Sequence, residues 1–166
     1  DETFRKMFET EARIGSSLQH ANIVQILDFV KFGETFLLVM EFVNGKNLRQ
    51  VVNKLKKEDF SLPLECVLFI INETLKGLEY AHTKKDEYTG QSNGIIHRDM
   101  SPQNIMVSYD GSVKIVDFGI ANCKDKIEHT KSGVIKGKFG YMSPEQAAGQ
   151  ELTPLSDLFS LGIILW

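Results

Sequence analysis

Residues 94–119 read GIIHRDMSPQNIMVSYDGSVKIVDFG, and the centre of this stretch sets what surrounds it. Asp110-Gly111 lies between two short β-type runs, 105–109 and 113–116. An Asp-Gly pair in that setting predicts a two-residue hairpin turn. In that register Tyr109 faces Ser112, Val107 faces Lys114 and Ile105 faces Val116. One step further, Asn104 faces Asp117 at the open end. Directly opposed side chains sit about 5 Å apart at Cβ, so the turn brings an amide oxygen and a carboxylate together. Hard oxygen donors at that separation suit Mg²⁺, which is usually held by one or two carboxylates together with phosphates. Asp99 lies five residues before Asn104, within reach of the same mouth, where its carboxylate can accept a proton from an attacking hydroxyl. Turn and capping roles explain a lone Asp or Asn beside a strand. Three such groups at one mouth, flanked by His97-Arg98 and Phe118-Gly119, point instead to a chemical site.

Composition narrows the setting. The chain has 166 residues, 42% of them hydrophobic and 25% charged, the balance of an ordinary globular domain. A net charge of −3 offers no basic excess for nucleic acid or an anionic membrane. Cys66 and Cys123 are far apart with no CxxC spacing, which argues against a zinc site or disulfide framework and fits a reducing compartment. The charged start, DETFRKMFET, is not a signal peptide. The apolar run LGIILW is far short of the ~20 residues a membrane span needs. Cytoplasmic placement is the expectation. The run also stops at Trp166 within a helical pattern, so the reading expects a fragment of a longer domain.

Around the centre, residues 4–18 carry Phe4, Met7, Phe8, Ala12, Ile14 and Leu18 at helical spacing, with Glu11 among them. Residues 22–42 predict two strands joined around Gly33, and 43–55 a turn and short helix. Residues 61–82 predict the clearest helix, with Ser61 as cap, Pro63 and Glu65 in its first turn, and Cys66, Ile70, Leu78 and Ala81 as an apolar stripe. Residues 83–94 form a polar loop, and 118–152 a long irregular stretch. A final helix over 153–166 takes Ser156 as cap and sets Leu158, Leu161 and Leu165 on one face. The fold class is α+β: a small mixed lobe, then a helical one, with the boundary near Val43–Leu48.

HRDMSPQN (97–104) and DFG (117–119) resemble the catalytic loop and metal-binding motif of eukaryotic-type protein kinases. GYMSPEQ (140–146) resembles the end of their activation segment, and SDLFSLGIILW (156–166) the helix that anchors their C-lobe. EARIGSSLQHANIVQ (11–25) resembles helix C and the loop after it, and LLVMEFV (37–43) strand 5 and the hinge. The match spans essentially the whole chain and is closest to bacterial Ser/Thr kinases. It implies a two-lobe kinase fold truncated at both ends, with residues 1–43 in a partial N-lobe and 44–166 in a partial C-lobe.

The resemblance also implies roles. Asp99 is the expected base, Asn104 and Asp117 the Mg²⁺ ligands, and Glu11 the helix-C glutamate that pairs with a strand-3 lysine. Met40 is the expected gatekeeper, Glu41 and Val43 present hinge backbone to the adenine of ATP, and Met106 forms the floor beneath it. His97 and Phe118 stack in the apolar spine between lobes, and Asp157 holds the catalytic-loop backbone. Glu145 pairs in the family with a later arginine. Arg98, preceding Asp99, implies switching by phosphorylation in the activation segment, with Thr130 and Ser132 as sites and autophosphorylation in trans as the route. The Gly-rich loop and strand-3 lysine are not among these residues; Lys6 lies in the same helix as Glu11.

Where the family usually has a lysine two residues after the catalytic aspartate, this chain has Ser101. Where it usually has a threonine before the docking-loop tyrosine, this chain has Lys138. A lysine head on a long flexible stem can reach the same region from the other side, so the pair reads as a compensated swap. The implied function is a protein Ser/Thr kinase using ATP and Mg²⁺ on a protein substrate. The rivals are a pseudokinase that binds without turnover, disfavoured by the intact Asp99, Asn104 and Asp117, and a small-molecule phosphotransferase of related fold, disfavoured by GYMSPEQ.

Overall fold

Alternating residues on either side of Gly33 build the first hairpin. Strand β1 (Ile26–Phe32) runs antiparallel to β2 (Thr35–Met40), with Phe32 opposite Thr35. Gly33 takes the left-handed turn position at φ +60°, which costs glycine nothing. The computed structural model describes residues 15–33, 35–85, 94–118 and 139–166. The expected helix over 4–18 lies mostly outside the described residues.

A second sheet has the order β3-β4-β5, antiparallel throughout: β3 (Gly45–Asn47), β4 (Ile105–Ser108) and β5 (Val113–Ile115). Residues 22–24 join it, since Ile115 N–H donates to Asn22 C=O and Val24 N–H to Ile115 C=O, both at 2.8 Å. The predicted hairpin register is corrected by one residue. Ile105 pairs with Ile115, Met106 with Lys114 and Val107 with Val113, so Asn104 lies across from Val116, whose N–H donates to Asn104 C=O at 3.0 Å. The reason is the turn. A two-residue turn of the predicted kind needs φ > 0 at both central residues. Here Gly111 is left-handed at φ +90° and Asp110 is not. The loop is therefore the three-residue kind, 109–111, closed by Ser108 N–H to Ser112 C=O at 2.9 Å. Asp110 Oδ1 stabilises it, accepting from Ser108 Oγ at 2.7 Å and Ser112 N–H at 3.0 Å.

Helix α1 (Leu48–Lys57) begins where β3 ends. Asn47 caps it reciprocally with Gln50: Gln50 N–H to Asn47 Oδ1 is 2.9 Å and Asn47 N–H to Gln50 Oε1 is 3.1 Å. Helix α2 (Leu64–His82) starts after Pro63, which sits at the cap position with an extended ψ of 143°. Ser61 is thus not the cap. The stripe is corrected too: Ile70, Thr74, Gly77, Leu78 and Ala81 are buried, while Cys66, on an exposed first turn, is not.

A 3-10 turn (Phe139–Tyr141) leads to the one-turn helix α3 (Pro144–Ala147), capped by Ser143, and then to α4 (Pro154–Leu165). Thr153 caps α4, because Pro154 suits the first helical position. Ser156 is its partner three residues in, its Oγ accepting from Thr153 N–H at 3.2 Å. Of the three leucines read as one face, Leu161 is buried, but Leu158 and Leu165 are 40% and 47% exposed. The buried face of α4 is Ser156, Asp157, Ser160 and Leu161. It is largely polar: Asp157 bonds the loop that precedes β4, Ser156 bonds Glu145, and Ser160 bonds the Ser156 carbonyl of its own helix. The core packs α2 against the second sheet through Leu18, Ile23, Leu78, Ala81, Ile105, Val113 and Ile115, and Met100, Phe118 and, from α4, Leu161 belong to the same cluster. Burying each such aliphatic side chain contributes about 1.5–3 kcal/mol.

Candidate active site

The loop 97–104 is held from three directions, and one of the groups that hold it, Asp157, is itself anchored by His82. From α4, Asp157 is 1% exposed, and its Oδ2 accepts from His97 N–H at 2.8 Å while Oδ1 accepts from Arg98 N–H at 2.9 Å. From the end of α2, His82 Nε2 donates to the same Oδ2 at 2.7 Å. From α3, Gln146 Nε2 donates to Arg98 C=O at 2.5 Å. From just after β5, Val116 C=O lies 2.9 Å from His97 Nε2. Since Asp99 N–H donates to His97 Nδ1 at 3.2 Å, the imidazole carries its hydrogen on Nε2 and both ring nitrogens are engaged. His97 is fully buried and meets Phe118 edge-on, ring centroids 4.7 Å apart.

These contacts sustain an unusual backbone. Arg98 and Asp117 have φ of +71° and +63°, a conformation that costs a non-glycine residue about 1–2 kcal/mol and persists where surrounding contacts over-determine it. At Asp117 it also interrupts the strand alternation, so the corrected hairpin register does not by itself set the direction of that side chain.

Asn104 is 6% exposed. Its Nδ2 donates to Asp99 C=O at 2.7 Å and to Asp99 Oδ2 at 3.1 Å. That commits the nitrogen edge of the amide to Asp99, and no hydrogen bond among the described residues uses its Oδ1. Asp117 lines a narrow cavity with Met40, Phe118, Ile23, Val24 and Leu38. An amide oxygen and a carboxylate fit the hard-oxygen preference of Mg²⁺. Among the described residues, no three of His, Cys, Asp or Glu converge as a cluster that would suit zinc.

At the hinge side, Glu41 N–H donates to Gln25 C=O at 2.9 Å, and Val43 makes no backbone hydrogen bond among the described residues. The Glu41 carboxylate bridges the two sheets, 2.8 Å from Lys114 Nζ and from Gln25 N–H. Burial raises its pKa, but the hydrogen bonds from Lys114 and Gln25 outweigh that and leave it below the ordinary glutamate value. Met106 sits mid-strand in β4 between Asn47 and Lys114. Glu145 accepts from Ser156 Oγ at 2.5 Å, which holds its carboxyl below the ordinary range. Ser101 is 1% exposed, and its Oγ has no hydrogen-bond partner among the described residues. Glu11, Thr130, Ser132 and Lys138 lie outside the described residues, and the Ser101/Lys138 swap with them. Lys114 and Gln146 are positions that the sequence does not single out, and His82, read from sequence as a structural or surface residue, bonds Asp157. Gln146 stands inside the GYMSPEQ motif, and His82 is the last residue of α2.

Three comparisons bear on this geometry. A family model described as the protein kinase domain matches residues 1–166. The chain is 37% identical over 163 residues to a protein named tyrosine-protein kinase MasK, from Myxococcus xanthus (strain DK1622), covering 98% of this chain and 25% of that one. It is 40% identical over 159 residues to a probable serine/threonine-protein kinase PknB, from Lactococcus lactis subsp. lactis (strain IL1403), covering 96% and 23%. It thus spans about a quarter of the length of these relatives. Among solved structures, the Mycobacterium tuberculosis PknI kinase domain superposes with a TM-score of 0.73 at 25% identity, over 99% of this chain and 56% of that one.

Proposed function

The chain belongs to the protein kinase domain family, and from that premise we propose that it is catalytic core of an ATP-dependent protein Ser/Thr kinase. The observation that carries the reading is the Asp99–Asn104 pair, fixed at 3.1 Å beside a loop gripped by α3 and α4. Catalysis of phosphoryl transfer is mostly positioning and electrostatics, and this loop is built to position. In the proposed reaction, Asp99 orients a substrate hydroxyl and accepts its proton as the oxygen bonds to the γ-phosphorus of ATP and ADP leaves. Asn104 and Asp117 are the residues that would hold Mg²⁺, whose charge offsets that of the phosphates when it is bound.

Met40, Glu41, Val43 and Met106 are assigned to adenine, and Glu11 to the ion pair with a strand-3 lysine. Lys138 is assigned to supply the positive charge that Ser101, buried and neutral, does not. Thr130 and Ser132 are assigned as autophosphorylation sites read by Arg98, acting in trans on a protein partner. We assign residues 1–43 to the N-lobe and 44–166 to the C-lobe; β1 and β2 fall in the first range and β3, β4 and β5 in the second, with residues 22–24 of the first joined to β5. Among the described residues no helix is long and apolar enough to cross a membrane, and we place this region in the cytoplasm.

The name of MasK favours a second reading, tyrosine as acceptor. One experiment separates them. Full-length protein is incubated with ATP and Mg²⁺, and the phosphoamino acids are identified. Phosphoserine and phosphothreonine, lost at least ~100-fold in Asp99→Asn, support the proposal. Phosphotyrosine alone would move the acceptor, and equal labelling of Asp99→Asn would remove the assigned base.

A further inference from the structure

The Arg98-Asp99 peptide is pinned along both edges. A peptide unit is planar, so Arg98 C=O and Asp99 N–H turn together. The carbonyl accepts from Gln146 Nε2 at 2.5 Å, and the N–H donates to His97 Nδ1 at 3.2 Å. Asp99 Cα hangs from this plane, so the plane's tilt helps set where the Asp99 carboxylate points, together with the Asn104 amide that donates to its Oδ2 at 3.1 Å. The residue before it needs such support, because Arg98 is left-handed at φ +71°. Asp157 holds its N–H at 2.9 Å, but that bond belongs to the preceding peptide plane. Removing Gln146 takes away the shorter of these two contacts and leaves the longer one, to His97.

We propose that Gln146 is a positioning residue for the phosphoryl transfer described above, clamping the Arg98 carbonyl so that the Asp99 carboxylate is held in its working direction. The inference rests on that functional reading. The chemistry of the side chain fits the task. A carbonyl oxygen accepts only, so the group that meets it must donate. Leucine at this position would fill the space without donating, and glutamate would set acceptor against acceptor. The clamp is also tied to its surroundings. Gln146 N–H donates to Ser143 Oγ at 3.3 Å, Ser143 is fully buried, and Glu145 next door is bonded to Ser156 of α4. Helix α3 therefore carries its own position to the peptide before Asp99. A rearrangement of 139–147 would reach the base through a single hydrogen bond.

The test uses the full-length protein. Gln146→Leu should lower kcat about 10- to 100-fold, the scale of a ~1 Å misplacement, with KM for ATP within about 2-fold of wild type and amide exchange at Arg98 and Asp99 faster. Gln146→Lys keeps a donor at similar reach and should recover most of the rate. Gln146→Glu should be impaired at neutral pH and recover relative to wild type as pH falls, because a protonated carboxyl can donate to the carbonyl. Unchanged kcat and unchanged exchange in Gln146→Leu would overturn the clamp, as would a pH-independent ratio for Gln146→Glu. A wild-type protein without phosphotransfer would overturn the kinase reading instead, and amide exchange in Gln146→Leu would then decide the clamp alone.

Discussion

Replacing Asp157 with alanine strands three donors at once: His82 Nε2–H, His97 N–H and Arg98 N–H, now bonded at 2.7, 2.8 and 2.9 Å. The two backbone groups cannot turn to water, because His97 is fully buried and the carboxylate that serves them is 1% exposed. Each stranded donor costs about 1–3 kcal/mol. Removing a buried carboxylate also relieves its own desolvation, and His82 can reorient, which returns part of that. The net expectation is a loss of about 3–5 kcal/mol, the usual range for breaking a buried charged network. For a domain of this size that lowers Tm by roughly 6–20 °C. Asp157→Asn keeps one acceptor oxygen and turns an NH₂ toward a donor, so it should fall between wild type and alanine. Calorimetry or denaturant titration measures the loss, and hydrogen exchange should show the His97 and Arg98 amides deprotected first. An exposed first-turn carboxylate would change stability by no more than about 0.5 kcal/mol. A Tm for Asp157→Ala within ~2 °C of wild type would therefore refute the assignment of Asp157 as the hub of this loop.

Two further outcomes test the frame around the site. Glu41 titrates below its ordinary value of 4.5, so its contact with Lys114 adds stability that is complete above that value and is lost as pH falls through the lowered one. Lys114→Met should flatten the dependence of unfolding free energy on pH across that acid window, and a curve parallel to wild type would count against the bridge. Gly45 lies so close to β4 that an alanine Cβ would sit 2.2 Å from Val107 O and 2.6 Å from Ser108 Cα. Both atoms are backbone, so the strands must part, and Gly45→Ala should cost about 2–3 kcal/mol by chemical denaturation. Gly162→Ala meets nothing within 4 Å inside α4 and should be neutral or stabilising by about 0.5–1 kcal/mol; equal losses at the two positions would remove the packing argument.

The elements were legible where periodicity had a single cause. The strands about Gly33, the capped helix after Asn47, the long helix ending at His82 and the hairpin around Gly111 all follow from alternation, capping groups and glycine. Errors arose where two local signals competed. Ser61 and Pro63 both suit a helix start, and the extended ψ of the proline moved the boundary past the serine. Thr153 outranked Ser156 because Pro154 takes the first helical position. In α4 the pattern misled for a different reason. Leucine spacing predicts which face is buried only if the burying force is hydrophobic, and here the inward face carries Ser156 and Asp157 to bond other segments, with Ser160 bonded back to the Ser156 carbonyl of its own helix.

The site was legible as a set of residue types and hidden as geometry. Asp-Gly announced a hairpin but not its loop length, which depends on whether Asp110 or only Gly111 is left-handed. The one-residue difference matters, because it moves Asn104 from Asp117 to Val116. In a regular strand the correction would turn Asn104 and Asp117 to opposite faces, since successive side chains alternate. Asp117 is not regular. Its φ of +63° breaks the alternation at the residue where the register had been lost, and Arg98 does the same before Asp99. Both conformations are disfavoured by about 1–2 kcal/mol in isolation, so no local propensity could announce them. Their support comes from 19 to 59 residues away: Val116 to His97, Gln146 to Arg98 and Asp157 to Arg98. Long-range hydrogen bonds to backbone leave no periodicity in a sequence. A motif can name the residues of such a site, but the directions in which they point are set by the elements that grip them.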